Sequence, residues 1–550
     1  MPKCWASLWR GLLQRGVSRK DQCAIRKWVA HFFCGFEYSL YLCLKFFRPM
    51  KKLIFTIVGL LLFSGCSTTK PKEDTTKPNI VLFLVDDMGW QDTSLPFDKQ
   101  KSHFNTLYET PAMEALAGQG MQFTNAYATA ICSPSRVSLM TGSNAARHRV
   151  TNWTLNRDTP TDWADPVLDL PEWNVNGISV GTASESLTYK ATPLPELLRE
   201  QGYYTVHVGK AHFGAFGISS ADPLAMGFDV NVAGHAAGGL ASYLGTNNFA
   251  RGNSPFNVPG LEKYHGQDIF ITEALTREAL AKLDVRPKGK PFFLYMSHYA
   301  VHIPMEADKR FYQKYLDKGM PEVEAKYASM LEGMDKSLGD IMDYLKAHKL
   351  LDNTLVFFMS DNGGLSAVGR AGVPNTHNAP LKSGKGSAYE GGTRVPMIAF
   401  WKGKVLAGSK CEVPLIIEDY FPTLLEVAGL RHPKTVQQVD GKSFLPLLLG
   451  KKGETERPLF WHFPNKWDAE GLGIAPHSAV RKGDWKLIYF HETGAKELYN
   501  LKDDLSEEHN VAAQHPEKVR ALSKLLRNHL KATGAQMPTV KATGKAVALP

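Results

Sequence analysis

Four short runs of almost wholly apolar residues stand out along the chain, and each run stops at polar residues. The runs cover residues 79–85, 204–208, 292–296 and 355–359. Short apolar runs rich in β-branched and aromatic residues are typical of strands buried on both faces of a parallel sheet. Asp86 and Asp87 follow the first run, and Asp361 and Asn362 follow the last after one serine. Because ligands in open α/β sheets bind outside the carboxyl ends of strands, we expect these residues to share one edge.

Helical and mixed patterns fill the rest of the chain. Apolar residues recur at 3.6-residue spacing over 322–348, which predicts a helix that covers the sheet. The alternation of strands and helices predicts an α/β domain at 79–450, with a mostly parallel or mixed sheet flanked by helices. A charged linker then leads to a smaller α+β domain with a short antiparallel sheet at 458–535, and to a tail at 536–550. The elements predicted in the smaller domain are strands at 459–463, 478–481, 485–490 and 497–500 and a helix at 516–532.

The formal net charge of +10 invites a nucleic-acid partner, but the position of that charge argues against one. Residues 1–49 hold nine Lys or Arg and only two Asp or Glu, and Lys51 and Lys52 follow. From Cys66 onward the chain is close to neutral. We therefore predict no polyanion-binding stripe and no nucleic-acid function.

A targeting signal lies inside the chain. Met50 and two lysines precede an apolar run at 53–63 and then Ser-Gly-Cys66, which is typical of a signal peptide at 50–65. Eleven apolar residues are too few to span a bilayer, which needs ~20. Small residues directly before Cys66 indicate acylation of that cysteine, so we predict an exported lipoprotein, periplasmic or at the outer membrane or cell surface, that meets the membrane only through its lipid. Plain secretion is the alternative.

Two consequences follow for the residues around this signal. Met50 is then the true start and residues 1–49 are an upstream extension, although a membrane-proximal segment is the alternative. The polar, proline-bearing stretch 66–78 is expected to be a flexible tether. Of the two later cysteines, we expect Cys411 to be a structural thiol, since two lone cysteines make a poor disulfide framework.

The other cysteine, Cys132, opens the segment Cys-Ser-Pro-Ser-Arg-Val-Ser-Leu-Met-Thr-Gly. Ser133 is suited to cap a helix, Pro134 to its first position and Gly142 to its end. This places Cys132 just before a helix N-terminus, where the dipole and free N–H groups favour an anion. Arg136 adds a fixed positive charge.

The acidic pairs at the strand ends are candidate metal ligands. Asp86, Asp87, Asp361 and Asn362 offer hard oxygen donors, which suit Ca²⁺ better than Zn²⁺. Either pair alone is more often a cap or a loop anchor. Together, after two apolar strands, they indicate two halves of one metal site.

Several segments resemble the type I, formylglycine-dependent sulfatases of the alkaline-phosphatase-like superfamily. Residues 132–142 resemble the family signature, Cys-x-Pro-x-Arg followed after four residues by Thr-Gly, at every defining position. Residues 209–214 resemble Gly-Lys-x-His-x-Gly, and residues 299–304 resemble its His-x-Pro turn. Residues 380–396 resemble the family segment with Gly-Lys-Gly and Glu-Gly-Gly-Thr-Arg. The resemblance extends from about residue 78 to residue 532.

This resemblance implies two cofactors. A separate maturation enzyme would oxidise Cys132 to formylglycine, and one oxygen of the aldehyde hydrate would be the nucleophile. Ca²⁺ would be bound by Asp86, Asp87, Asp361 and Asn362, with the modified residue 132 completing its shell.

The resemblance also implies roles for four basic residues. Lys210 stabilises an alkoxide, and His212 takes a proton when sulfate is expelled from the nucleophile. His302 binds sulfate and protonates the departing alcohol, and Lys385 bridges the sulfate and the leaving oxygen. Glu390 and Arg394 are expected to be scaffold that pairs internally.

The substrate follows from the resemblance and from the remaining polar residues. A Gly/Ala-rich segment at 227–245 resembles one in polysaccharide-active bacterial sulfatases, and its His235 is a candidate sugar ligand alongside His377. Further candidates for the pocket rim are Trp153, Arg157, His462, Trp467 and His477. We expect a sulfated polysaccharide or oligosaccharide, in the first place algal such as ulvan or carrageenan, with animal glycosaminoglycan or mucin as the other source.

Two rival functions remain open. The first is a phosphoester or phosphonate hydrolase of the same superfamily, since it too needs a cationic pocket. The second is a glycan-binding lipoprotein in which Cys132 is never converted. Turnover of aryl sulfate against aryl phosphate separates the first rival, and the mass of the Cys132 peptide separates the second.

Overall fold

A nine-stranded mixed β-sheet lies at the centre of the computed structural model, which describes residues 77–366 and 378–550. The predicted extension, signal peptide and most of the tether, with Cys66, lie outside the described residues, as does His377. Residues 76–550 form one compact unit, and the described hydrophobic clusters consist of its residues. In these described ranges no helix combines the length and the apolarity that crossing a bilayer requires.

The strands and helices alternate along most of the described chain. The strands are β1 Asn79–Val85, β2 Met121–Tyr127, β3 Leu168–Asp169, β4 Ile178–Ser179, β5 Tyr189–Lys190, β6 Tyr204–Gly209, β7 Val230–Val232, β8 Phe292–Ser297, β9 Thr354–Ser360, β10 Arg394–Trp401, β11 Ser409–Cys411, β12 Leu415–Ile416, β13 Leu459–Phe463, β14 His477–Lys482, β15 Trp485–Phe490, β16 Lys496–Asn500, β17 Thr539–Val540 and β18 Lys545–Ala546. The α-helices are α1 Phe104–Leu107, α2 Pro111–Gln119, α3 Cys132–Thr141, α4 Ala145–His148, α5 Leu194–Glu200, α6 Ile271–Asp284, α7 Tyr312–Asp317, α8 Glu322–Ala347, α9 Glu390–Thr393, α10 Tyr420–Val427, α11 Leu445–Leu448 and α12 Pro516–Thr533.

The four predicted apolar strands are neighbours in the central sheet. Its order is β11-β2-β10-β9-β1-β8-β6-β7, with β12 also paired to β2. Strands β9, β1, β8 and β6 run parallel, so their carboxyl ends reach the same edge. The prediction of an α/β fold with this shared edge is confirmed, and each predicted strand lies within two residues of the observed bounds.

Both faces of the sheet are covered, which explains why these strands are apolar throughout. Ile80, Leu82 and Leu84 face one hydrophobic cluster, and the alternate residues Val81 and Phe83 face the other. Helix α8, predicted from its 3.6-residue spacing, packs on the second face beside α2 and α6. Successive side chains of a strand point to opposite faces, so a strand between two helical layers has no polar face.

Strand β10 was not predicted, and it runs antiparallel to both of its neighbours, β9 and β2. Pro396 lies inside it, and the register with β2 shifts between Val395 and Met397. A proline cannot donate to the ladder, so it is tolerated at a bulge. The bulge hides a strand that the sequence pattern alone does not reveal.

The C-terminal part forms the predicted short antiparallel sheet. Strands β13, β14, β15 and β16 are an antiparallel meander in chain order, and α12 packs against it. The predicted bounds of β13 and β15 are those observed. The last residues form β17 and β18, and β17 pairs with β3 from the first third of the chain.

A buried charge network joins the two sheets. Lys486 on β15 donates to Glu390 at 2.9 Å and lies 3.1 Å from Glu507, and all three side chains are fully buried. Arg394 pairs with Glu390 at 3.2 Å, as expected from the sequence, and the Tyr127 hydroxyl donates to the same carboxylate at 2.6 Å. Glu390 opens the helix that follows the segment carrying Lys385. The small sheet thus supports that segment, because its Lys486 supplies the positive charge that pairs with Glu390.

The two carboxyl groups of this network differ in protonation. Burial alone would raise the pKa of Glu390, but Lys486 and Arg394 outweigh it and lower that pKa to about 2. Burial raises the pKa of Glu507 to about 7 despite the charge of Lys486. One full negative charge therefore faces Lys486, and the second carboxyl is held close to its titration point.

Replacing Lys486 tests this network. We expect Lys486→Met to lower the free energy of unfolding by about 3–5 kcal/mol, because a buried carboxylate loses its counter-charge. The measurement is the shift in denaturant midpoint. The exposed Lys482→Met on the neighbouring strand is the matched control, expected within about 0.5 kcal/mol of wild type. The double variant Lys486→Met with Glu507→Gln should regain part of the loss, and equal effects of Lys486→Met and Lys482→Met would contradict the network.

Candidate active site

Carboxylates from two neighbouring strands meet at the carboxyl edge of the central sheet. Asp86 and Asp87 follow β1, Asp361 and Asn362 follow β9, and all are buried. One oxygen from each of the three aspartates lies within 4.8 Å of the others. The backbone N–H of Asp87 donates to Asp361 at 3.3 Å, and the Asn362 amide donates to Asp87 at 2.7 Å. The fold therefore brings together two pairs that are 275 residues apart.

Two oxygens of this cluster indicate what it binds. Among the described residues, Oδ1 of Asp86 and Oδ1 of Asn362 are buried and accept no hydrogen bond. Buried polar atoms are nearly always satisfied, so each exception needs an explanation. A cation that prefers hard oxygen donors would satisfy both atoms and offset the carboxylate charges. The donor set therefore fits a divalent metal ion of this kind.

Helix α3 carries Cys132 in a different position from the one predicted. Cys132 is the first residue of the helix, with Ile131 at the N-cap position, whereas the sequence predicted Ser133 as the cap. The Ser133 hydroxyl instead accepts from the Thr154 N–H at 3.1 Å and contacts Nε2 of His212 at 2.9 Å. The side chain was not free to cap because it holds His212. The predicted helix end is confirmed, since Gly142 has φ 69° and closes the helix in the left-handed region.

Arg136 lies in the second turn of α3 and holds the metal-site residues in place. Its guanidinium lies 2.8 Å from Asp361 and donates to the Ser297 hydroxyl at 2.7 Å and to the Lys210 carbonyl at 3.1 Å. The side chain is fully buried. Ser297 was missed in the sequence because it is the last residue of β8, one position beyond the predicted strand.

Two lysines supply the remaining positive charge. Lys210, after β6, donates to Asp86 at 2.5 Å, and both side chains are fully buried. Lys385 lies 2.8 and 2.9 Å from the two oxygens of Asp87. With Arg136 on Asp361, each aspartate has its own closest basic partner. Burial alone would raise the pKa of Asp87, but Lys385 and then His302 hold it well below its usual range.

The pKa of Asp86 shifts in the opposite direction from that of Asp87. Burial raises its pKa to about 8, more strongly than the charge of Lys210 lowers it. Of the three aspartates, Asp86 is therefore the one whose ionised form would be stabilised most by a further cation. The three carboxyl groups and three basic groups balance, so a bound divalent ion would leave a positive surplus that attracts an anionic substrate.

His302 stands between this cluster and solvent. Its Nε2 lies 3.7 Å from Asp87, its side chain is 18% exposed, and its Nδ1 lies 2.8 Å from the Ile303 carbonyl. That contact assigns the proton to Nδ1 and leaves Nε2 directed toward the cluster. Burial, together with the charge of Lys385, lowers the pKa of His302 to about 3.

His212 is fully enclosed. Its Nε2 lies 2.9 Å from the Thr154 carbonyl as well as near Ser133, and burial, with the charge of Lys210, lowers its pKa well below the usual value. Its φ of 58° is in the left-handed region, as is the 59° of Asp87. Such strain in non-glycine residues clusters at functional sites and costs ~1–3 kcal/mol each.

The thiol of Cys132 is not activated as a nucleophile. The side chain is buried, and burial raises its pKa although Lys210 and Lys385 oppose that shift. Reactive cysteines have lowered pKa values in partly exposed, electropositive surroundings. Cys132 and Cys411 are both free thiols among the described residues.

The Gly/Ala-rich segment closes against the two histidines. A Cβ at Gly238 would overlap the His212 ring, and one at Gly239 would lie 3.3 Å from the His302 ring. The His235 carbonyl accepts the N–H of His212 at 3.2 Å. Nε2 of His235 is buried and has no hydrogen-bond partner among the described residues.

The rim candidates separate into two groups. Trp467 packs over Lys385 with 5.6 Å between the ammonium and the ring. Trp153 packs against the hydrophobic cluster that contains Trp467, and Arg157 is exposed. His462 and His477 do not lie on a rim, because both are buried in the small sheet and hydrogen-bonded to it or to adjoining segments. Their residue type suggested ligands, but their strand positions direct them into the protein.

Comparison with known families and proteins gives matches along most of the chain. The family described as Sulfatase matches residues 78–430, and the family described as N-sulphoglucosamine sulphohydrolase, C-terminal, matches residues 384–536. A protein of Formosa agariphila named Sulfatase is 30% identical over 535 residues, covering 86% of this chain and 92% of that protein. The human N-acetylgalactosamine-6-sulfatase is 30% identical over 505 residues, covering 86% and 89%.

A solved structure has the same fold. The crystal structure of Ps i-CgsB in complex with k-i-k-neocarrahexaose superposes with a TM-score of 0.64 at 27% identity, covering 82% of this chain and 93% of that one.

The donor set predicts stabilisation by a divalent cation. We expect Ca²⁺ or Mg²⁺ to raise the unfolding midpoint. The free energy of unfolding should increase by ~2.7 kcal/mol at a cation concentration one hundred times the dissociation constant. Asp87→Asn should abolish the rise. Asp308→Asn, a buried aspartate paired with Arg310 instead, is the control and should keep it. Midpoints measured with cation and with chelator give the difference, and an unchanged cation effect in Asp87→Asn would exclude this site.

Proposed function

Because this chain belongs to the sulfatase family, we propose that it hydrolyses sulfate monoesters of carbohydrates with a formylglycine made from Cys132 and a bound Ca²⁺. Family membership makes the protein a sulfuric ester hydrolase, and its relatives and structural neighbours indicate sulfated glycans as substrates. The cofactors, the roles of individual residues and the particular glycan are the proposed part.

One observation carries the proposal: three buried carboxylates, two unsatisfied oxygens and three buried cations converge near the start of the Cys132 helix. Asp86, Asp87, Asp361 and Asn362 offer the oxygen donors that Ca²⁺ prefers. When present, Ca²⁺ supplies a fixed positive charge beside the sulfate, and formylglycine supplies an oxygen nucleophile through its hydrate. The raised pKa of the Cys132 thiol supports conversion, since the unmodified group is a poor nucleophile.

The basic residues of the site fit the remaining steps. Lys385 and His302 both lie against Asp87, and the His302 side chain is partly exposed, so both are suited to bind a sulfate oxygen and the departing alcohol. Nε2 of His302 is the nitrogen that can carry a proton to that alcohol, because Nδ1 is committed to the Ile303 carbonyl. Burial and the charge of Lys385 lower the pKa of His302, and a bound sulfate anion would raise it again because the anion offsets that charge. Lys210 and His212 lie deeper, where they serve the nucleophile side of the reaction.

The substrate we propose is a sulfated polysaccharide or its fragments, in the first place algal, such as carrageenan or ulvan. Support comes from the neighbouring structure in complex with neocarrahexaose. The N-acetylgalactosamine-6-sulfatase relatives support an animal-type glycan as the other source. Trp467 beside Lys385, and Trp153 in the hydrophobic cluster that contains Trp467, add aromatic surface of the kind that packs against sugar rings.

We also propose that the protein is exported and acylated on Cys66, as the signal pattern at 50–65 indicates. It would sit in the periplasm or at the outer membrane or cell surface and meet the membrane through that lipid. A formylglycine-generating enzyme would be its partner during maturation.

Sulfate release from matured protein tests the central claim. We expect turnover on a panel of sulfated saccharides and aryl sulfate, and its loss in Cys132→Ala, because that variant has no side chain to convert. The mass of the peptide containing residue 132 reports conversion in the same sample. Protein with verified formylglycine that releases phosphate from an aryl phosphate but no sulfate would overturn the proposal in favour of a phosphoester hydrolase.

The proton-donor role of His302 predicts a dependence on the leaving group. We expect His302→Ala to reduce kcat on a sugar sulfate by about 10²–10⁴, because an alkoxide needs protonation as it departs. Turnover of 4-nitrophenyl sulfate, whose phenolate leaves unaided, should fall less than about tenfold on the same reasoning. The exposed His509→Ala is the control and should match wild type on both. Equal losses on the two substrates would assign His302 to sulfate binding alone.

A further inference from the structure

The edge of the central sheet opposite the active site has a surplus of basic side chains. Two clefts lie there, one of about 820 Å³ between the starts of β1, β8 and β9, and one of about 710 Å³ between α2, α8 and the end of β10. Besides Lys402, their linings include six basic residues, which we call the basic edge: Lys77, Arg286, Lys288, Lys290, Lys346 and Lys349. Of the acidic residues in these linings, Asp352 is already paired with Lys402 at 2.6 Å, which leaves Asp284 and Asp343.

Most of this charge is available to a partner. Lys288, Lys290, Lys346 and Lys349 are exposed, and none of them has an ion-pair partner among the described residues. The chain from Cys66 onward is close to neutral, so the surplus is local rather than general. The sequence did not predict it, because these residues belong to three separate segments.

Two large apolar side chains protrude at the same edge. Val285, just after α6, is 73% exposed, and Leu406, just beyond the strand end at Trp401, is 71% exposed. Basic residues beside exposed apolar side chains are typical of surfaces that lie on a membrane. A partner that binds through charge alone would not contact Val285 and Leu406 favourably.

The point where the chain enters this unit lies at the same edge. Lys77 donates to the Gln201 carbonyl at 2.8 Å, directly before β1. Cys66 is eleven residues earlier in the sequence, which even fully extended spans roughly 40 Å. A globular unit of this size is roughly 60 Å across. A lipid on Cys66 can therefore hold the basic edge against a membrane, but it cannot reach around to the carboxyl edge.

We infer that the basic edge docks on the anionic phospholipid headgroups of the membrane that holds the acylated Cys66. This inference rests on the proposed lipid anchor. Docking in this orientation turns the carboxyl edge, with His302 and Lys385, away from the bilayer. The catalytic site then faces the medium from which sulfated glycans arrive.

Vesicle binding by the mature protein without its acylated cysteine, beginning at Ser67, tests the docking surface. We expect it to bind phosphatidylcholine vesicles that contain phosphatidylglycerol, to bind pure phosphatidylcholine at least tenfold more weakly, and to be released by salt. The edge variant is Lys288→Glu with Lys290→Glu and Lys349→Glu. It should lose at least about a hundredfold in binding, from roughly fivefold for each basic residue near an anionic surface and from added repulsion.

The control variant carries the same change of charge elsewhere. Lys451→Glu, Lys452→Glu and Lys524→Glu replace exposed lysines away from the basic edge. Binding should stay within about threefold of wild type, because salt screens charges that lie far from the membrane surface. Equal losses in both variants, or no binding to anionic vesicles by the wild-type protein, would overturn the inference. So would loss of binding to dextran sulfate in the edge variant with vesicle binding unchanged, which would assign the edge to a sulfated polymer.

Two further readouts separate this inference from the proposed function. Turnover of aryl sulfate should be the same in wild type, edge variant and control, so a failure of docking leaves the sulfatase proposal intact. The mass of the N-terminal peptide from cells reports acylation of Cys66. An unmodified Cys66 would remove the anchor and with it the inference, whatever the enzyme hydrolyses.

Discussion

Burial of charge at the carboxyl edge of the parallel strands is the constraint on which the rest of the structure depends. Three carboxylates and three basic groups lie there almost without exposure to water. An isolated ion in such a place would cost several kcal/mol. Each aspartate is tolerable only because one basic side chain reaches it, from α3, from the end of β6 or from the 380–386 segment. The order of the strands and the place of α3 are what make these three contacts simultaneous.

The same constraint extends to the small sheet. The segment that carries Lys385 continues into Glu390, and this carboxylate is neutralised by Lys486 from β15 and Arg394 from β10. Gly386 donates to the Ala130 carbonyl at 2.8 Å, which ties the segment to the start of the Cys132 helix. The small sheet is therefore more than an appended layer: its buried lysine stabilises the segment from which Lys385 reaches Asp87.

The sequence was most informative where a structure has a local cause. Uninterrupted apolar runs predicted the parallel strands, and 3.6-residue spacing predicted α8, because both patterns follow directly from burial of the element concerned. Sequence patterns failed to predict features that depend on a partner distant in the sequence. Pro396 concealed β10, whose bulge is stabilised only within the sheet. Ser133 was expected as a helix cap, but its hydroxyl is hydrogen-bonded to Thr154 and His212 instead. The basic edge is likewise a product of folding.

The strained residues show how the site maintains its geometry. Asp87 and His212 both have left-handed backbone conformations that cost free energy. The Asp87 N–H is held by Asp361, 274 residues later, and the His212 N–H is held by the carbonyl of His235 in the Gly/Ala-rich segment, so each is fixed by a residue outside its own turn. The Gly/Ala-rich segment that supplies the His235 carbonyl also presses Gly238 against the His212 ring, where only glycine fits. That segment is thus required for the position of His212, whether or not its own histidine touches the sugar.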